Sequence, residues 1–213
     1  IDYYDDWLEP LGRISPDVSE PYFAGLCVVG SSIWLAVRQK ANAIMRFDMQ
    51  TNRSNIYKIG KEDYSYDAIC FDGENFWLGP RLFTRTPLVK WNPQKGILRE
   101  YTEIYQNKEE DAVELYDRCV CDGRHVWLLA HYMAKNSYKF DVRSEGIFIA
   151  EEFGTGMIEK ELPETIYRAS ILKNDILATV NESTNELVEY NTKTEEMKRN
   201  ALHLTPEMAE ELR

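Results

Sequence analysis

The sequence predicts an all-β chain made of four copies of one four-stranded unit. Three observations carry that reading. Trp34, Trp77 and Trp127 each stand between an aliphatic or aromatic residue and a leucine, in "IWL", "FWL" and "VWL". Eleven residues before each lies an aromatic (Phe23, Tyr66, Tyr116), and thirteen or fourteen after lies an aromatic followed by Asp or Asn (Phe47-Asp48, Trp91-Asn92, Phe140-Asp141). A worn fourth copy keeps the order, with Tyr167, "ILATV" at 176–180 in the tryptophan region, and Tyr190-Asn191. The aromatic–Asp/Asn pairs are 44, 49 and 50 residues apart, a period typical of repeat architectures.

Each copy has the same physical content. A first run such as "LCVV" or "AICF" is strand-favouring. The turn "GSS", "DGEN" or "DGRH" follows, where Gly73 and Gly123 are expected at the positive φ a tight hairpin needs. The second run carries the tryptophan, buried between units rather than displayed for stacking. After a longer loop comes the third run, "AIMRFD", "PLVKWN", "SYKFD" or "ELVEYN". Its final Asp or Asn opens a turn by accepting hydrogen bonds from backbone two residues on. A fourth run closes a meander of about 45 residues.

One such sheet cannot bury both faces alone. Most strands read apolar on both sides, so the sheets must stack on one another, and radial stacking also protects their edges. The prediction is a β-propeller or partial propeller of about four blades, preferred over a β-sandwich because sandwiches lack a repeat of this length. The boundaries are 1–22 for a leading segment, 23–65, 66–115, 116–166 and 167–200 for the repeats, and 201–213 for a tail. Residues 11–17 can supply the last strand and turn of a preceding blade. Thr205 reads as an N-cap with Pro206 at the first helical position, predicting a short C-terminal helix. A second short helix is expected over 107–116.

The unit, Asp-Gly, two residues, apolar-Trp-Leu, then aromatic-Asp and a Thr-containing turn, resembles the blades of the virginiamycin B lyase-like, NHL-like and two-component-regulator sensory propellers. The resemblance covers 23 to about 200 and implies the fold, not one activity. Those families imply six to eight blades. The chain is then a four-bladed ring, a fragment of a larger ring, or a half completed by a second chain.

A net charge of −11 argues against nucleic acid and against insertion into anionic membrane surfaces. No run approaches the roughly 18 apolar residues of a membrane span. The opening "IDYYDDWLEP" has neither the basic nor the apolar region of a signal peptide. Four cysteines are too few for a disulfide scaffold, and Cys119 and Cys121, two apart on one strand, are poorly placed to bond each other. They read as reduced, buried thiols, which favours a reducing, cytoplasmic compartment.

Function is less legible. The loops after the second strands are basic in three copies: Arg38 and Lys40, Arg81 and Arg85, His131 and Lys135. On an acidic chain these mark a face for an anionic ligand, although acidic loops at 103–114 and 151–164 can neutralise them pairwise. Phe83, Tyr105 and Tyr132 are the aromatics expected to make contact. The leading reading is a non-enzymatic scaffold recognising a protein segment or a small polar ligand, anionic or carbohydrate, through Arg38, Lys40, Arg81, Phe83, Arg85, His131, Tyr132 and Lys135. Neither cofactor nor catalytic residue is called for. Further blades or a second subunit are the other partners. The alternatives are a metal-dependent propeller lyase or hydrolase, with His131 beside Glu109 or Asp111, and a sensory domain of a larger signalling protein.

Overall fold

The structure, a computed structural model, describes residues 2–4, 10–13, 23–37, 42–81, 84–105, 116–131, 134, 136–153, 167–181 and 183–203. Both expected helices fall outside these residues, except that Tyr116 opens a strand; the described chain contains a single short 3-10 turn, Glu151–Phe153. A two-stranded hairpin comes first, β1 (Asp2–Tyr4) with β2 (Pro10–Arg13). The stretch read as part of a preceding blade thus pairs within its own segment.

Four antiparallel sheets follow, each in simple meander order. Blade 1 is β3 (Phe23–Val29), β4 (Ser32–Val37), β5 (Ala43–Asp48) and β6 (Arg53–Lys58). Blade 2 is β7 (Tyr66–Phe71), β8 (Phe76–Pro80), β9 (Leu88–Asn92) and β10 (Gly96–Tyr101). Blade 3 is β11 (Tyr116–Cys121), β12 (His125–Ala130), β13 (Tyr138–Asp141) and β14 (Ile147–Ile149). Blade 4 is β15 (Tyr167–Lys173), β16 (Ile176–Asn181), β17 (Glu186–Asn191) and β18 (Met197–Ala201). This is the blade architecture of a β-propeller.

The turns follow the sequence logic. Gly73 and Gly123 adopt φ of 101° and 87° with open space around them. Asp48, Asn92, Asp141 and Asn191 each accept two backbone N–H groups through Oδ1, at 2.7–3.3 Å. Asp72 and Asp122 do the same in the first hairpin, and their second oxygens accept from Trp77 Nε1 at 2.7 Å and Trp127 Nε1 at 2.9 Å. One carboxylate therefore shapes the turn and orients the tryptophan five residues on.

The tryptophans join the blades. Trp34 packs on Phe76 and Trp91 of blade 2, Trp77 on Phe140 of blade 3, and Trp127 on Tyr190 of blade 4, with ring centroids 4.4–6.0 Å apart. Each seam thus puts one blade's tryptophan against the next blade's aromatic-Asp/Asn residue. In blade 4 the register places Ala178 where the others carry tryptophan.

The innermost strands line a channel, β3 beside β7, β7 beside β11 and β11 beside β15. Each carries a bulge near its first aromatic. Such a bulge bends the strand and tightens its local twist. At Gly25 the approach of β3 to β7 is close enough that a Cβ would lie 2.7 Å from Asp67 O. Among the described residues β15 makes no comparable approach to β3. Leu26 and Val28 are 57% and 58% exposed, and Ile171 55%, whereas Ile69 and Cys119, at the register position of Leu26, are buried.

Candidate functional site

The loops after the second strands are braced from beneath. Tyr66 and Tyr116, first aromatics of their repeats, donate their hydroxyls to Ile59 O at 3.2 Å and Ile104 O at 2.7 Å, tying each inner strand to the loop that enters it. After β8, Thr84 Oγ1 donates to Arg81 O, Thr86 Oγ1 accepts from Ser65 N at 2.9 Å, and Arg81 N–H donates to Ser65 O at 2.9 Å. Tyr105, expected to face a ligand, instead donates to Thr86 O at 2.7 Å and packs on the core between blades 2 and 3. Its hydroxyl is part of the loop's frame.

On this scaffold Arg81 is half-buried and Arg85 exposed, and both belong to one loop. His131, just past β12, is only 8% exposed. Buried Ser137 accepts from Ala130 N through Oγ and from Ala150 N through its carbonyl, each at 2.9 Å, holding the base of that same loop. Arg38, Lys40, Phe83, Tyr132 and Lys135 lie outside the described residues, as do Glu109 and Asp111.

The channel has its own chemistry. All four cysteines line a cavity of about 250 Å³ between the inner strands. They are free thiols, with Cys70 and Cys119 buried. Burial pushes Cys27 up to about 11 and Cys121 up to about 12. Cys70 is raised by burial and then by its hydrogen bond with Cys119, whose own thiol donates to Trp77 O at 3.5 Å. Protonated thiols are weak nucleophiles and weak ligands at neutral pH. Among the described residues no three His, Cys, Asp or Glu side chains are placed to hold a metal ion, and no helix is long and apolar enough to cross a membrane.

A second polar surface lies at the opposite end, beside the hairpin turns. Here each tryptophan is covered by the cation opposite it on the third strand: Arg46 over Trp34, Lys90 over Trp77 and Lys139 over Trp127, at 5.5–5.7 Å from the ring centroids. The signal is visible in the sequence as the basic residue before the aromatic in "RFD", "KWN" and "KFD". In blade 4 that place is Glu189, and its cross-strand neighbour is Ala178. Cation and tryptophan are lost together, as cation–π pairing requires. Sequence reasoning anchored on the tryptophans and passed over their cations.

With this geometry in place, the chain can be set beside proteins of known structure. No protein-family model matches the chain. No curated protein matches its sequence. Among solved structures it is similar to virginiamycin B lyase from Staphylococcus aureus, at 14% identity and a TM-score of 0.54, covering 82% of this chain and 53% of the lyase. It is similar to the extracellular domain of BT4673 from B. thetaiotaomicron, at 13% identity and 0.58, covering 89% of this chain and 24% of that one. The WD40 repeats of RRP9 align at 13% identity and 0.56, over 86% and 52% of the two chains. The chain thus spans about half the length of the lyase and of the RRP9 repeats, and about a quarter of the third. At these identities the likeness is one of fold.

Proposed function

We propose that this chain is a recognition module, which binds a protein segment or a small polar ligand, anionic or carbohydrate, on the face carrying the loops after the second strands. The contacts are assigned to Arg38, Lys40, Arg81, Phe83, Arg85, His131, Tyr132 and Lys135. One observation carries the reading: an exposed arginine stands on a loop that the fold itself braces. Arg85 is exposed, and the same loop is held through Thr84, Thr86 and the Arg81 backbone. Elsewhere, the turn aspartates serve backbone and indole N–H groups, and burial raises the Cys27 and Cys121 thiols away from reactivity. A rigid scaffold that varies at its loops is where residues that contact a ligand concentrate.

Surface plasmon resonance with two immobilised probes, a glutamate-rich peptide and a heparin oligosaccharide, tests the assignment. Arg81→Glu with Arg85→Glu is expected to weaken binding to whichever probe is retained by about tenfold or more, since two charge-assisted contacts are reversed. The urea midpoint should stay unchanged. Affinity indifferent to this reversal would overturn the loop assignment. Stoichiometric Mg²⁺ or Mn²⁺ binding that depends on His131, seen by native mass spectrometry, would overturn the scaffold reading in favour of a metal-dependent lyase or hydrolase.

A further inference from the structure

The seams between blades are not equivalent on the turn side. Between blades 2 and 3, Lys90 Nζ is 2.8 Å from Glu145 Oε1 with only 8% of its side chain exposed. Arg99, cross-strand from Lys90, brings Nη1 to 3.4 Å from Glu145 Oε2. Glu145 reaches them from the turn after β13, where it holds φ 57° with its N–H on Asp141 O at 2.9 Å. Two cations of blade 2 thus grip one carboxylate of blade 3, and the seam is shut.

The next seam carries the same parts with one exchanged. Lys139 stands in the place of Lys90, cross-strand from its tryptophan. Glu195 stands in the place of Glu145, at φ 60° with its N–H on Asn191 O at 2.8 Å. But the residue cross-strand from Lys139 is Phe148, not an arginine. Lys139 turns to Glu152 of its own blade at 3.3 Å, and Phe148 remains 49% exposed. The seam stays open as a cleft of about 530 Å³ lined by Lys139, Phe148, Glu195 and His125.

His125 adds an independent sign. Its Nδ1 is buried without a hydrogen-bond partner, and the Asp122 carboxylate oxygen is 3.6 Å away, beyond bonding distance. At the same place blades 1 and 2 carry Ser32 and Asn75, each satisfied from the facing strand, by Arg46 Nε at 2.9 Å and Asn92 Nδ2 at 3.1 Å. A buried polar atom left unpaired costs free energy and marks a place where the packing is incomplete.

We propose that the cleft between blades 3 and 4 binds a small carboxylate with an apolar body. The ligand carboxylate meets Lys139 as the Glu145 carboxylate meets Lys90. The apolar body lies on Phe148, and the His125 side chain lines the same space. Arg124 and Lys193, both exposed, stand at the rim, 3.9 Å from Asp141 and 2.8 Å from Asp175 respectively. Among the lining acids, Asp122 and Asp141 are engaged by turn N–H groups and Asp175 by Lys193 at 2.8 Å. Asp122, Asp141 and Glu195 oppose an anion, and Lys139 and Arg124 offset them. A cleft of this volume is of the size that holds small organic ligands. It lies on the face opposite the loops and does not depend on the reading above.

Sodium benzoate is the probe, with benzamide as its uncharged counterpart, titrated into the 213-residue chain and followed by NMR at the His125 and Phe148 rings. Benzoate is expected to bind saturably with a Kd on the order of 1 mM, and benzamide about tenfold more weakly. Phe148→Arg supplies the missing second cation, so Glu195 closes the seam. Benzoate affinity should fall about tenfold while the melting temperature is held or raised, which separates lost binding from lost fold. Lys139→Met should cost about the same factor, and Glu195→Gln should tighten binding severalfold. Equal affinity for benzamide, shifts that map elsewhere, or unchanged affinity in Phe148→Arg would each overturn the proposal.

Discussion

Replacing Trp77 by leucine tests the claim that each tryptophan locks one seam. Trp77 is fully buried, stacks on Tyr101 with centroids 5.3 Å apart, and reaches Phe140 of blade 3 at 6.0 Å. Removing the indole loses packed volume and the bond from Nε1 to Asp72. The expected destabilisation is about 4 kcal/mol, within the roughly 3–5 kcal/mol found for truncating large aromatics. A domain of this kind has about 5–15 kcal/mol in all, so the variant should still fold. The sharper quantity is the coupling. In a double-mutant cycle, Trp77→Leu with Phe140→Leu should show about 0.5–1.5 kcal/mol of interaction beyond area. Trp77→Leu with Tyr190→Leu, in the next seam, should be additive to within about 0.5 kcal/mol. Urea unfolding followed by far-UV circular dichroism measures both cycles. Additivity at Trp77 and Phe140, or equal coupling at Trp77 and Tyr190, would refute the one-tryptophan, one-seam reasoning.

Three further outcomes follow from the same geometry. Asp72→Asn keeps a turn-accepting oxygen but sets an amide donor against Trp77 Nε1, so the urea midpoint should fall by the equivalent of about 1.5–3 kcal/mol, whereas Asp48→Asn, with no indole to serve, should lower it less. The Asp48 and Asp141 carboxyls lie below their usual range, chiefly because the N–H groups of Thr51 and Ser144 bond their charged forms. Their folded pKa values are depressed, so their contribution is present above the unfolded value of about 3.9 and is lost as pH falls through the folded values. Urea midpoints should accordingly drop below about pH 4 in the parent and drop less in Asp48→Asn with Asp141→Asn. Gly25→Val drives a side chain into Asp67 O and the Ala68 backbone, at 2.7 and 3.0 Å from the first atom alone, and should cost about 1–3 kcal/mol by thermal denaturation; Gly30→Asn, at φ 59° with open space, should cost less than about 1 kcal/mol.

The repeat was legible because each of its landmarks has a local cause. An Asp-Gly hairpin, a strand-buried tryptophan and an Asx turn each need particular residues within five or six positions, and they recur in the same order. The meander, the left-handed glycines and the burial of Trp34, Trp77 and Trp127 follow from that pattern. The cations of the third strands could also have been found, since Arg46, Lys90 and Lys139 precede the same aromatic in three copies. The worn fourth copy was visible as a repeat, while its consequence was not. Ala178 and Glu189 look like drift until the register shows that they face each other across two strands.

What chain order could not reveal is how the copies differ once packed. Tyr105 and Arg85 both look like exposed loop residues, yet Tyr105 is half-buried with its hydroxyl on Thr86 O, while Arg85 is exposed. The exchange of Arg99 for Phe148 lies in the fourth strand of the unit, where sequence alone sees only a change of residue type. By itself the sequence determined the blade, because the strand-favouring runs and the turn chemistry are short-range properties of the chain. The tertiary structure decided which seams close and which stay open, because that depends on charges and volumes brought together from blades about fifty residues apart. No pattern within one repeat encodes that meeting.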